Sequence, residues 1–161
     1  MPRTMVDKWF IQALWGFLLV LAAADGRAET QKVRGQLLYV PVYSEVPYGD
    51  KAFTLNLTAT LSVRNPDLKN PVSLKRVDYY GASGELVRSY LRQTASLKPM
   101  ASTEFIVRES DRSGGISASF LVEWESDMPI TPPFVEAIMV NSTYNQGIAF
   151  NSTSRVLSET P

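Results

Sequence analysis

The chain has 161 residues, with 16 Lys+Arg balancing 16 Asp+Glu and neither His nor Cys. That length suits a single domain, and the absence of Cys excludes disulfides, a thiol nucleophile, thiolate metal sites and lipidation on Cys. The absence of His removes the commonest general base and transition-metal ligand, and a balanced charge gives no nucleic-acid footprint.

Residues 1–28 read apart from the rest. Arg3 and Lys8 make a short basic start, partly offset by Asp7, and an apolar run from Trp9 to Ala24 follows, broken only by Gln12 and Gly16. Gly26 and Ala28 are small residues two apart, the pattern a signal peptidase accepts, so cleavage is expected between Ala28 and Glu29. Ala22 and Ala24 offer a second cut. The alternative is an uncleaved inner-membrane anchor over residues 9–24, although a full span takes about 20 residues. Cutting after Ala28 removes Arg3, Lys8, Arg27, Asp7 and Asp25, leaving 13 basic against 14 acidic residues. The domain, residues 29–161, is then expected in the periplasm or secreted.

Past residue 32 the hydrophobic period is two. Gln36 to Val42 is β-rich on both faces, with Tyr39 and Tyr43 opposite Leu38, Val40 and Val42, and Pro41 within it implies an edge or a bulge. Phe53 to Arg64 alternates apolar and polar without exception over twelve residues, which predicts one antiparallel strand with one wet face. Val72 to Tyr80 changes phase near Arg76, as a bulge would make it do, and Gly81-Ala82-Ser83-Gly84 turns the chain back into Leu86–Leu91. Further strands are expected over 102–108, over 118–125 after Ser113-Gly114-Gly115, over 135–140 and over 148–150. Trp124, on the Phe120/Val122 face, reads as core. The expected fold is an all-β, immunoglobulin-like antiparallel β-sandwich of seven to eight strands, with a loose polar tail from Thr153 to Pro161.

With the strands laid out, several phrases in order resemble a bacterial family catalogued as domain of unknown function 3124. They are Leu38-Tyr39-Val40-Pro41-Val42-Tyr43-Ser44, Thr60-Leu61-Ser62-Val63-Arg64-Asn65, Val77-Asp78-Tyr79-Tyr80, Pro99-Met100-Ala101-Ser102-Thr103, Glu109-Ser110-Asp111-Arg112-Ser113-Gly114-Gly115 and Phe120-Leu121-Val122-Glu123-Trp124. The resemblance runs from about Gln36 to Val156. It implies an exported protein of the bacterial envelope or periplasm, and it implies no activity, ligand or catalytic residue. Some members look like lipoproteins; this chain lacks the Cys that requires.

Candidate chemistry is sparse. In the Glu109–Gly115 loop, Glu109 and Asp111 could hold a cation or polar ligand, while the same residues also suit a plain turn with Asp111 capping backbone and a glycine at positive φ. No His is present to activate a serine, and Glu123 and Glu125 alternate with Val122 and Trp124 as a wet strand face. Tyrosine is the surplus: Tyr39, Tyr43 and Tyr80 are candidates for a partner surface, because the ring is apolar and the hydroxyl polar. The expected function is a non-catalytic interaction module, using no cofactor or metal, that binds an envelope protein or a glycan. The alternative is a periplasmic small-ligand or cation-binding protein using the Glu109–Gly115 loop. Membrane contact is expected only if residues 9–24 are retained.

Overall fold

The computed structural model describes residues 31–50, 53–142 and 147–161. The expected export segment, with Ala28 and Glu29, lies outside the described residues. In chain order the strands are β1 Val33–Val42, β2 Glu45–Tyr48, β3 Phe53–Asn56, β4 Thr58–Arg64, β5 Val72–Tyr80, β6 Leu86–Ser89, β7 Ala95–Leu97, β8 Ser102–Val107, β9 Ala118–Ile130, β10 Phe134–Asn141, β11 Ile148–Thr153 and β12 Arg155–Thr160. The larger sheet runs β12-β1-β9-β5-β6, with β7 also on β5; the smaller runs β11-β10-β4-β8; β2 and β3 form a separate hairpin. Every pairing is antiparallel.

The period-two rows explain the layers. Leu38, Val40 and Val42 of β1, Phe120, Val122 and Trp124 of β9, and Val77 and Tyr79 of β5 all point inward from the larger sheet and are buried. Ala59, Leu61 and Val63 of β4 and Val135, Ala137 and Met139 of β10 meet them from the smaller sheet. Burying these side chains is the main favourable term for the fold, about 1.5–3 kcal/mol for each large one. Along the open side, Tyr90 fills the gap between sheets: its ring lies 5.7 Å from Phe105 and 5.6 Å from Phe120, and its hydroxyl donates to the Ile106 carbonyl at 3.0 Å.

The sandwich and the bulge at Arg76 are as the sequence predicts: the β5–β9 register shifts between Leu74 and Arg76. Gly81 to Gly84 is the expected reversal, closed by Gly84 N–H to Gly81 O at 2.9 Å with Gly84 at φ 84°. Pro41 lies in a strand that is paired on both sides, but β12 has already ended at the Tyr39 level. Its carbonyl accepts the Ser152 hydroxyl, so the nitrogen that has no hydrogen faces the side where no strand follows.

Three expectations are corrected. The strand count is 12 among the described residues, because β2, β7 and β12 carry no legible alternation and the Phe53–Arg64 run divides in two. The Phe53–Arg64 run is not one strand: it breaks at Leu57, whose N–H leaves the ladder to bond Ser44 O at 2.8 Å, so that β3 pairs with β2 and β4 joins the smaller sheet. The side-chain alternation survives that break, which is why the pattern could not reveal it. The polar tail is not loose: β12 pairs along β1 from Gly35↔Thr160 to Tyr39↔Arg155. All its side chains are exposed, so the backbone ladder orders it and the hydrophobic pattern carries no sign of it.

Candidate functional site

Residues opposite one another on paired strands point to the same face, so register alone builds the outer surface of the larger sheet. One row crosses it as Arg155, Tyr39, Leu121, Asp78 and Ser89, and the next as Pro41, Ser119 and Tyr80. Tyr39 and Tyr80 therefore stand on one face, two strands apart, with Leu121 and Ser119 of β9 between them and Pro41 beside Tyr39 on β1. Tyr39 is 38% exposed; Tyr80, Leu121 and Pro41 are half-buried. No described element covers this face.

The polar members of the face are held in place. Ser89 donates its hydroxyl to Asp78 at 2.6 Å, and Asp78 is nearly buried. In the row on the far side of Tyr39, Arg76 grips one oxygen of Glu123 through Nη2 at 2.5 Å and Nε at 3.0 Å. That contact helps keep the guanidinium protonated, raising its pKa above an already high value. Lys75, the extra residue of the bulge, reaches Glu125 at 3.0 Å. Glu123 and Glu125 thus each face a cation, and both line one small depression of about 60 Å³ with Leu37 and Ser158.

Tyr43 is not part of this surface. It follows the end of β1 and packs edge-on against Phe150, with centroids 5.9 Å apart. Phe150 pairs with buried Met139 and so faces the core. Shared parity with Tyr39 misled because the parity rule ends with the strand.

The Glu109–Gly115 loop lies at the end of the sandwich where β1 and β5 finish, and it is stitched to its surroundings. Asp111 accepts from Ser113 N–H at 3.1 Å and from the Ser113 hydroxyl, and Arg88 reaches it at 2.9 Å. The Ser113 hydroxyl bond is the largest cause holding the Asp111 carboxyl below its usual value, with Arg88 adding to it. Arg112 binds Glu45 of the hairpin at 2.7 Å, Ser44 donates to Gly115 O at 2.7 Å, and Ala82 N–H donates to Gly114 O at 3.0 Å. Glu109 turns elsewhere, accepting from Asn141 Nδ2 at 3.2 Å. The two candidate carboxylates thus point at different protein groups, and among the described residues no three carboxylates gather to hold a metal. Gly115 takes φ 68°, as a turn here requires.

Sequence reasoning missed Leu121, Asp78 and Ser89 as members of the Tyr39 face. Their signal is cross-strand pairing, which one strand's pattern does not contain. It also missed Arg88 and Glu45 as clamps on the loop, since both lie far from it along the chain.

Among solved structures, the chain is similar to "Crystal Structure of Thermotoga maritima 1070", at 12% identity and a TM-score of 0.49, covering 81% of this chain and 98% of that one. No curated protein matches. A family model described as "Protein of unknown function (DUF3124)" matches residues 35–157, from β1 into β12, and the chain belongs to that family.

Proposed function

We propose that the protein is an exported, non-catalytic interaction module of the bacterial envelope that binds a partner protein on the Tyr39–Leu121–Tyr80 face. The observation that carries this reading is the pairing of two tyrosines around apolar residues on a sheet face that no described element covers. Tyrosine contributes large contact area at low entropic cost and keeps a polar hydroxyl, which suits a surface that must be both wet and adhesive. Leu121 and Pro41 keep accessible apolar area on this face while Ser119 and Asp78 are buried, which favours a protein over a glycan. Export is supported by the apolar run over 9–24 followed by Gly26 and Ala28. The assignment as non-catalytic rests on the lack of His and Cys and on carboxylates that pair with cations on an open face.

A photo-crosslinking amino acid placed at Tyr39 or Tyr80 in the native bacterium tests the reading. One envelope protein should crosslink from both positions and not from Thr60, on the outer face of the other sheet. A crosslink from Thr60 alone, or only glycan adducts at Tyr39, would sink it. Sequencing the purified protein's N-terminus in the same preparation tests export, with Glu29 expected first.

A further inference from the structure

The opposite end of the sandwich, where β4 ends and β5 begins, carries a second surface. Its two turns are stapled into one platform. Asp67 accepts from the N–H groups of Lys69 and Asn70, both at 2.8 Å, and these bonds hold its carboxyl below the ordinary value. Asn65 Nδ2 donates to Asn70 O at 2.9 Å and to the carbonyls of Leu97 and Lys98 in the neighbouring turn. Met100 N–H closes the join on Asp67 O at 3.2 Å.

This platform presents the most exposed apolar side chains among the described residues, Leu68 at 76% and Met100 at 67%. Met100 is also the one described non-glycine residue at positive φ, 59°, a conformation that costs an L-residue about 1 kcal/mol. Around these tips stand Lys69 and Lys98, in the same turns, and Lys32, which lines the same depression as Leu68 and Lys69. All are exposed, and none forms an ion pair among the described residues. Of the carboxylates here, Asp67 is occupied by loop amides.

We propose that this end docks on an anionic phospholipid bilayer, with Leu68 and Met100 entering the headgroup layer and Lys32, Lys69 and Lys98 facing the phosphates. Apolar tips ringed by unpaired lysines match a surface that is negative outside and greasy beneath. The inference does not rest on the Tyr39–Tyr80 face.

Because the full chain has no Cys, Leu68→Cys gives a single attachment point for a polarity-sensitive dye. On vesicles containing phosphatidylglycerol, dye at position 68 should brighten and shift to the blue. It should not do so on pure phosphatidylcholine, and dye on Tyr48→Cys, at the other end, should not respond on either. Lys69→Gln with Lys98→Gln should raise the lipid concentration needed by at least about tenfold. No response at position 68, an equal response on neutral lipid or at position 48, or indifference to the lysine changes would each overturn the proposal. A working Tyr39 crosslink alongside any of those results would leave the partner-binding reading standing by itself.

Discussion

At Gly114 the backbone passes so close to Tyr79 that a Cβ there would lie 1.8 Å from the phenol oxygen. Tyr79 is buried against Phe120, centroids 5.1 Å apart, and cannot swing away. Burial holds its hydroxyl above the ordinary pKa, with Ser44 beside it acting the other way. Gly114→Ala should therefore destabilise by about 2–3 kcal/mol, as overpacking does. Gly84→Ala, at positive φ in open space, should cost only about 1 kcal/mol. Urea midpoints of the two variants check this, and equal losses would contradict the packing argument. Met100→Gly should move the other way, releasing left-handed strain and raising stability by up to about 1 kcal/mol. The sign of the Asp111 effect follows from its lowered pKa. Its contribution is complete above the usual carboxylate value of 3.8 and is lost as pH falls from there through the lowered value. Acid titration of unfolding should show Asp111→Asn less stable than wild type at neutral pH, with the gap closing below pH 3.8. A gap constant with pH would remove Asp111 from the account.

At the scale of the strand, what could be read from the sequence was the face and what could not was the partner. Val77, Tyr79, Phe120, Val122 and Trp124 were legible as core because alternation records which way a side chain points. The bulge at Arg76 was legible for the same reason, as a slip in phase. The break at Leu57 was not, since β3 and β4 change sheets without changing phase. Nor was β12, where Arg155 to Thr160 expose every side chain and order comes from hydrogen bonds to β1 alone. Truncation after Ser154 should accordingly leave β1 as a bare edge. We expect a lower urea midpoint, read by Trp124 fluorescence, and concentration-dependent association, read by light scattering on a size-exclusion column. A truncated chain that stays monomeric with an unchanged midpoint would show β12 to be ornamental.

Over the whole molecule, the candidate sites divide as the strands do. Tyr39 and Tyr80 were visible as surplus aromatics, and only the register of three strands places them on one face. Glu109 and Asp111 were visible as neighbours in sequence, and folding directs them to Asn141 and Arg88 instead of to each other. Closeness in sequence did not make a site of Glu109 and Asp111, and the tyrosine face became legible only through cross-strand register. A global test of the core is available in the tryptophans. Of the three, only Trp124 lies beyond the expected cleavage point, and it is fully buried. The processed protein should emit at short wavelength when folded and shift red in one step with denaturant. A red emission in the native state would contradict a sealed core.

β1 is the first strand of the domain to leave the ribosome, and it draws both its neighbours from the far half of the chain: β9, Ala118–Ile130, on one side and β12, Arg155–Thr160, on the other. The first strand made is therefore the last to be completed. A chain that has not yet made β12 leaves β1 unpaired along its outer edge. Closing contacts so distant in sequence is slow, on the order of milliseconds to seconds. The topology thus postpones completion of the larger sheet until β12 has been made.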